Sequence, residues 1–579
     1  MRLKLAIIIT TYSTFMSEGP GKLKISDLNH DILWTIFKLC ATDSNESPPN
    51  RLTLTRRASQ VCSTWRDILI KSSTIWGNLF CMKHDDSLTT AAFASEVLKR
   101  SGTSPLHLSI SLSKESAHVS SFEANARQAL FLETCRTHWP RISQFHVTLH
   151  SFSTNLPDNR IPATADFKNW AFLGKPAQNL QSFILIIGPN YRGIAPLSPV
   201  HFMSDTAPLL QEFVSTHFHM KFSAPWFSSL RIFAARQLIL PQGSAGSFHL
   251  SILHALNSMT CVEHLRVPNL PHNDYSFSEL EQAGKLPTIK LPSLCSLWVA
   301  GPLPNAISLA SAIIGQSNDL SLTIEVSIDT RHHLYKTSLE RLSKYFERTV
   351  NFHSQSKDTP SDNVFLVLTD HSVELSSYDR AHQTVYPGRF YFISIEWWRR
   401  DALGEQDLIY LANVYHFPYY HSNITTVCLT TPVVQWSLPM ADKYIHLLSA
   451  FPSVTTLETD LLSFFTITRE MTSKAGFLTD RNSIGPTAFF PALQTVRILK
   501  REDSPANRET YCMDALSSFL YARQDGGAPI SLLEVQDSAV KILTWLPRLD
   551  KLVGLEIIFY DAEGEKHTYI CGSDLSTVR

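Results

Sequence analysis

The chain has 579 residues, of which 44% are hydrophobic and 18% are charged. This balance is typical of a folded protein and excludes a disordered one, while the length predicts two or more structural units or one extended array. A net charge of −1 excludes a general attraction to nucleic acid or to acidic membrane surfaces. The nine cysteines include no Cys-x-x-Cys pair, so we expect small buried side chains and neither metal ligands nor disulfides.

Residues 1–24 are expected to form a tail outside the fold. Their start, MRLKLAIIITTYSTF, joins basic residues to a short apolar run as a secretion signal does, but no A-x-A-like cleavage site follows. The run is also shorter than the ~20 apolar residues that cross a bilayer. We therefore expect a tail, or translation from Met16, and neither secretion nor a membrane partner.

Residues 25–40 predict an amphipathic helix that Ser26 or Asp27 caps. At 100° per residue, its apolar side chains cover an arc of roughly 180°, wider than the ~100° that one packing face needs. The arc comprises Leu28, Ile32, Leu33, Ile36, Phe37, Leu39 and Cys40. So wide an arc indicates two apolar neighbours, the helices of its own domain and a second chain. The alternative is a core helix that its own domain buries on two sides.

A second helix is predicted after a polar hinge at residues 41–51. Its apolar residues recur at the spacing of one helical face: Ala58, Val61, Cys62, Trp65, Ile68 and Leu69. Trp76 follows, and its side chain is large enough to close a small core. These segments predict a small helical domain at residues 25–82.

The order of these residues resembles a known domain. Leu28, Ile32 and Ile36-Phe37, then VCSTWRDI at 61–68 and Ile75-Trp76, are similar to the F-box domain of mushroom-forming fungi. The stretch SEVLKRSGTSPLHLSI at 95–110 resembles the Leu-x-Arg-Ser-Gly-x-x-Pro-Leu stretch that comes next in those proteins. The chain departs from the pattern at Asn29, where proline is usual, and at Asp31, where glutamate is usual.

The resemblance implies that these helices bind a Skp-type adaptor of a cullin ubiquitin ligase. The residues that would contact the adaptor, directly or by holding the helices, are Leu28, Ile32, Ile36, Phe37, Val61 and Trp65.

Beyond the helices, residues 83–150 are predicted to be a connector of helices and strands that caps an array. The array is indicated by a loose pattern: an apolar residue, two variable positions, an apolar residue, one variable position and an apolar residue. One copy of this pattern lies at the end of each of these segments: 139–147, 178–185, 259–267, 291–299, 451–459, 490–498 and 550–558. Their irregular spacing, roughly 20 to 40 residues, matches leucine-rich-repeat periods only loosely.

Each copy predicts a short strand whose apolar positions point inward, and stacked strands would bury one another's inner side. Residues 151–579 are therefore predicted to form an irregular leucine-rich-repeat solenoid, although the pattern is poor between residues 320 and 436. The predicted fold class is α+β or α/β, with a small N-terminal three-helix F-box-like domain followed by that solenoid.

In such a solenoid, the variable position between the last two inward residues faces the concave side. That position predicts a target-binding strip of mixed charge with one large aromatic, a composition favoured in protein interfaces: His146, Arg266, Trp298, Arg497 and Glu556. The alternative is that these are ordinary solvated strand residues, with Trp298 covered by a loop.

Motifs of phosphate-binding loops, dinucleotide sites, nucleophile elbows and zinc proteases are absent from the sequence. We therefore expect no catalytic residue, no metal and no cofactor. The resemblance implies a substrate-recognition subunit of a Skp-cullin-type ubiquitin ligase, located in the cytoplasm or nucleus. Its partners would be the adaptor, the cullin scaffold and an unknown target protein, without nucleic acid or membrane. The alternative is a leucine-rich-repeat scaffold that does not engage a ubiquitin ligase.

Overall fold

The chain forms two compact units, Met1–Arg266 and Val267–Arg579. The computed structural model describes residues 28–42, 47–83, 91–112, 121–149, 167–187, 202–216, 224–236, 245–267, 277–282, 284, 286–315, 321–327, 337–338, 340–342, 344–345, 363–368, 372–377, 392–396, 424–430, 448, 451–465, 468, 490–499, 509–538, 545–561 and 564–573. The predicted tail at residues 1–24 lies outside these ranges, as do Ser26 and Asp27, the predicted caps of the first helix.

The first unit begins with four helices, α1 (His30–Thr42), α2 (Pro48–Ala58), α3 (Ser63–Lys71) and α4 (Ser73–Gly77). Strands and further helices then alternate in the order β1 (Cys81–Lys83), α5 (Ala91–Ser101), β2 (Leu106–Leu112), α6 (Ser121–His138), β3 (Ile142–Leu149), β4 (Ser182–Ile187), β5 (Glu212–Thr216), β6 (Ile232–Arg236), α7 (Ala245–Ser258) and β7 (His264–Val267). Short 3₁₀ turns precede β3 to β6, at Trp139–Arg141, Phe167–Gly174, Phe202–Asp205 and Pro225–Ser229.

The start of α1 is fixed by Asn29, whose side-chain oxygen accepts a hydrogen bond from the backbone N–H of Asp31 at 3.1 Å. The Asn29 carbonyl also accepts the first helical hydrogen bond, from the N–H of Leu33 at 3.1 Å. Asparagine is among the best helix caps because its short side chain satisfies an amide that has no partner in the first turn. Asn29 is therefore the cap of the helix.

The prediction of one continuous helical stripe from Ala58 to Leu69 is wrong. Pro48 and Pro49 begin α2 inside the predicted polar hinge, because proline fits the first helical positions, where no amide donor is needed. The helix ends at Ala58, and α3 starts only at Ser63. Val61 therefore lies in the intervening turn and is 60% exposed, although the pattern placed it on a buried stripe.

The core of the first unit is built on a parallel sheet. Among the described residues of this unit, β1 to β7 pair in chain order and all pairs are parallel. One face carries a row of phenylalanines at matched register, stacked at centroid distances of 5.0, 5.4 and 5.9 Å: Phe145, Phe183, Phe213 and Phe233. All four are buried. Stacked rings add to the free energy of burial, and here they also align the four strands.

The four N-terminal helices are joined to this sheet by a close contact at α4. An added Cβ atom at Gly77 would lie 2.3 Å from the carbonyl oxygen of Pro105, directly before β2. Beside it, the hydroxyl groups of Ser73 and Ser104 are 2.8 Å apart, and the Arg100 guanidinium lies 4.7 Å from the ring of Trp76. The RSGTSP stretch therefore forms the turn against which the helices pack.

We expect the Gly77→Ala substitution to lower the free energy of unfolding of the first unit by about 1–3 kcal/mol, the usual cost of overpacking. The obstructing atom belongs to the backbone and cannot rotate away. Denaturant unfolding followed by circular dichroism measures the change. Thr74→Ala, at an exposed position of the same helix, is the control, and equal stability of the two variants would contradict the expectation.

The second unit has a less regular order. Its elements are α8 (Phe277–Gln282), β8 (Ile289–Leu291), β9 (Ser296–Pro302), α9 (Leu303–Ala312), β10 (Ile313–Gly315), β11 (Ser321–Ser327), β12 (Asn363–Leu368), β13 (Ser372–Ser377), β14 (Phe392–Glu396), β15 (Thr426–Thr430), β16 (Thr456–Asp460), β17 (Thr495–Leu499), α10 (Glu509–Asp525), β18 (Leu532–Ser538), α11 (Leu546–Leu549), β19 (Glu556–Tyr560) and β20 (Lys566–Ile570).

The described strands of this unit form a mixed sheet in the order β9-β11-β14-β13-β12-β15-β16-β17-β18-β19-β20. Pairing is parallel except at β12–β13, β13–β14 and β19–β20. A separate parallel pair joins β8 and β10.

The predicted fold class, a small three-helix F-box-like domain followed by an irregular leucine-rich-repeat solenoid, is wrong. The strands predicted in the seven copies of the pattern are present as β3, β4, β7, β9, β16, β17 and β19. They belong, however, to large, mostly parallel sheets of the α/β type. In the second unit, β12 to β14 run in reverse order with antiparallel pairs, which an array of one repeated unit does not produce. A local sequence pattern can predict that a segment forms a strand, but it does not predict which other strand pairs with it.

Candidate functional site

The surface of the N-terminal helices is a candidate site because apolar side chains remain exposed beside a complete core. Phe37 of α1 is buried and its ring meets Trp65 of α3 edge to face at 4.9 Å, while the Trp76 indole N–H donates to the Leu69 carbonyl at 2.7 Å. Seven large hydrophobic side chains are exposed in the described part of the chain, and four lie in this region: Ile32 (40%), Leu39 (59%), Val61 (60%) and Ile70 (45%).

The six residues predicted to bind an adaptor differ in how exposed their side chains are. Ile32 and Val61 are exposed and available to a partner. Leu28, Ile36 and Trp65 are half-buried. Phe37 is buried and holds α1 against α3. The sequence pattern did not single out Leu39 and Ile70 as contacts, although both carry exposed apolar side chains on these helices.

On the sheet of the first unit, His146 belongs to a polar network on the face opposite the phenylalanines. Its Nε2 lies 2.8 Å from the Ser182 hydroxyl, which donates to a Glu212 carboxylate oxygen at 2.5 Å. Serine stands between the histidine and the acid, whereas a hydrolytic triad needs the histidine in the middle. This network therefore has no arrangement for nucleophilic catalysis.

His146 and Arg266 lie on one register row of that sheet. The row runs from His146 through Ile184, Val214 and Ala234 to Arg266. Four strand spacings of ~4.8 Å separate its ends by about 19 Å along the sheet. A partner must span that distance to contact both residues at once.

His107 of β2 lies near His146 and Arg51 of α2, where all three groups are partly buried. Burial, followed by the charges of Arg51 and His146, lowers the pKa of His107 from 6.5 to about 4. Burial also lowers the pKa of His146, with Glu212 opposing the shift and Arg51 adding to it. Both shifts favour the neutral form of the imidazole at the junction of α2 with the sheet.

We expect the first unit to lose stability as the pH falls from 6.5 to 4. In this window the unfolded chain binds a proton at His107 and the folded chain does not. Protonation therefore favours the unfolded chain, and the free energy of unfolding falls by up to about 3 kcal/mol relative to its value above pH 6.5. Urea unfolding at several pH values measures the loss. His107→Gln should flatten the profile, whereas His264→Gln, at an exposed position of β7, should leave it unchanged.

In the second unit, Arg497 of β17 is held between two carboxylates. Its Nη1 lies 2.8 Å from Glu458 of β16 and its Nε lies 2.7 Å from Glu534 of β18. The Tyr560 hydroxyl donates to the other oxygen of Glu534 at 3.0 Å. Although burial opposes the shift, hydrogen bonds to both carboxylates raise the pKa of Arg497. Arg497 is therefore part of a side-chain ladder across four strands.

Trp298 of β9 shares the register row of Arg497, seven strand pairings away. At ~4.8 Å per pairing, the two residues are about 34 Å apart along the sheet. Glu556 lies on a different row, because the partner of Glu534 on β19 is Ile558. The single target-binding strip is thus divided into separate positions, of which Arg266 and Glu556 are exposed.

The sequence pattern missed Glu458 and Glu534, which make the ladder with Arg497. Glu458 occupies the same variable position in its copy as Arg497 does in the next one, between Leu457 and Thr459. Opposite charges at equivalent positions of successive copies were the signal that could have revealed the ion pair.

One group of described residues has the composition of a metal site. Asp561, Glu565 and His567 bring their ligand atoms within 4.8 Å of one another. The Asp561 oxygens already accept hydrogen bonds from the Glu565 N–H at 2.7 Å and from His567 at 2.8 Å. These bonds form the turn between β19 and β20, which accounts for the cluster. The absence of a metal and of a cofactor stays a prediction.

No family model matches the chain, and no curated protein matches its sequence. Across the parts of the chain that the structure describes, we find no helix with both the length and the apolar character to cross a membrane.

Proposed function

We propose that this protein is a substrate-recognition subunit of a Skp-cullin-type ubiquitin ligase, related to the F-box proteins of mushroom-forming fungi. The observation that carries the proposal is the exposed apolar surface on α1 to α3. Ile32 and Leu39 of α1, with Val61 and Ile70, are exposed although Leu33, Phe37, Ile68, Leu69 and Trp76 complete the core beneath them. Exposed apolar groups concentrated on one small region favour protein binding.

In this role the protein performs no chemistry of its own. The N-terminal helices would bind the adaptor and, through it, the cullin scaffold, while the sheets would hold a target protein. Exposed Arg266 and Glu556 are the predicted target residues best placed to meet a partner, with half-buried His146 and Trp298 nearer the sheet surface. Arg497 would act indirectly, by shaping the sheet. Such a subunit raises the effective concentration of target lysines near the ubiquitin-charged enzyme, in the cytoplasm or nucleus.

We expect Ile32→Asp to weaken adaptor binding at least tenfold, because burying one isoleucine side chain contributes about 1.5–3 kcal/mol and an aspartate adds a desolvation cost. Co-purification with a Skp-type adaptor, followed by a measured dissociation constant, tests this. Val553→Asp is the matched control, since Val553 is 74% exposed and lies in the second unit.

A wild-type chain that retains no adaptor under gentle conditions would contradict the proposal. In that case the protein would be an interaction protein outside the ubiquitin ligase, and its other partners would be indifferent to Ile32→Asp. Thermal unfolding of both variants separates lost contact from lost fold, because Ile32 is 40% exposed and its replacement leaves the core intact.

A further inference from the structure

Charge is distributed unevenly around the exposed apolar residues of α1 to α3. In residues 28–42 and 47–71, which the structure describes, the exposed cations are Lys38, Arg57, Arg66 and Lys71, and the exposed anions are Asp31 and Asp67. Asp67 is already paired with Lys71 at 3.0 Å, and the Lys38 ammonium lies 4.9 Å from the centre of the Trp34 ring. Among these described residues, the two arginines are therefore the exposed cations that have no carboxylate or aromatic ring beside them.

Arg66 lies on the same helical face as an exposed apolar side chain, and Arg57 precedes another by four residues. Residues four apart on a helix lie on the same face, which places Arg66 beside Ile70 on α3. Arg57, in the last turn of α2, leads into the turn that carries Val61, whose N–H donates to the Ala58 carbonyl at 3.2 Å. Neither guanidinium forms an ion pair with any residue that the structure describes.

We infer that the partner of these helices presents an apolar surface bordered by acidic side chains, and that Arg57 and Arg66 contact those acids. The inference rests on the function proposed above and adds the chemistry of the partner surface. An apolar patch with two unpaired arginines matches a protein partner better than a nucleic acid, for which a stripe of cations with few exposed aliphatic groups is needed. Charges at the rim of an interface mainly steer association and set its salt dependence.

The experiment measures binding of the full-length chain to a purified Skp-type adaptor at about 0.05 M and about 0.5 M salt, where the screening length falls severalfold. The variants are Arg57→Glu, Arg66→Glu and, as a charge-matched control, Lys290→Glu at an exposed position of β8. For each arginine variant we expect an association rate constant about tenfold lower at low salt, a smaller salt dependence, and little change at high salt. The control should behave as the wild type.

Two outcomes would count against the inference and can be told apart. If the adaptor binds with the same dissociation constant at both salt concentrations, and both arginine variants match Lys290→Glu, the acidic border is wrong while the proposed function stands. If the wild type does not bind the adaptor even at low salt, both the border and the proposed function fail. Circular dichroism of each variant checks that the helices are intact. We expect no change in the spectrum, because both arginines are exposed and outside the core.

Discussion

Replacing Arg523 with alanine is expected to lower the free energy of unfolding of the second unit by about 3–5 kcal/mol, because buried carbonyls lose a donor and a large buried side chain is removed. The Arg523 side chain is fully buried at the end of α10. It donates to the carbonyls of Ala528, Phe490 and Leu493 at 3.0, 3.2 and 3.1 Å. Phe490 also has a left-handed φ of 48°, so the arginine holds a strained turn before β17. Alanine would leave a cavity and three carbonyls without this donor.

Two further variants make the measurement specific. Arg548→Ala should cost about 1 kcal/mol or less, because the ion pair of Arg548 with Asp514 is exposed. Arg523→Met should cost less than Arg523→Ala, since methionine refills much of the volume and carries no buried charge. Chemical denaturation gives all three values. If Arg523→Ala destabilises no more than Arg548→Ala, the role assigned to Arg523 is wrong.

Arg497→Ala should be comparably destabilising, at about 3–5 kcal/mol, because it leaves a buried charge without its partner. The side chain of Glu458 is only 3% exposed and that of Glu534 is 13% exposed, so water replaces the guanidinium poorly at either one. Adding Glu458→Gln to Arg497→Ala should recover part of the loss, because the substitution removes one of the two uncompensated charges.

A double-mutant cycle over these two positions measures the coupling directly, with an expected interaction energy of about 1–3 kcal/mol. Lys71→Ala serves as the control, because the Lys71–Asp67 pair is exposed on both sides and should contribute about 0.5 kcal/mol or less. If the effects of Arg497→Ala and Glu458→Gln on the free energy of unfolding are additive, the ion pair between these two residues does not stabilise the sheet.

The strands were predictable where a large apolar residue recurs at the same place in successive segments of the sequence. Phe145, Phe183 and Phe213 recur at the same place in successive segments, and their rings stack on adjacent strands. Such a position is set by local periodicity, because alternate residues of a strand share a face. The exposure of Ile32 on a wide apolar arc likewise follows from helical spacing.

What the sequence did not reveal are features set by distant partners. The reversed order of β12 to β14 depends on which edge each strand meets, and that choice leaves no mark in the strand itself. Arg497 was interpreted as a contact residue because its two carboxylate partners lie 39 and 37 residues away. From the sequence, Asn29 stands out only as a departure from the F-box-like pattern, because a cap is recognised only once the first helical residue is known.

The fusion of helices and sheet at Gly77 has a consequence for aggregation. An open sheet exposes unpaired amide and carbonyl groups along its outermost strand, and a long, flat strand of this kind invites pairing between molecules. At one end of the described sheet of the first unit that strand is β1, which is three residues long and follows the N-terminal helices. A chain that also lacked β1 would present β2 at this edge, with seven residues and alternating buried leucines and isoleucine. The three-residue β1 that follows the N-terminal helices therefore shortens this edge of the sheet and limits pairing between molecules.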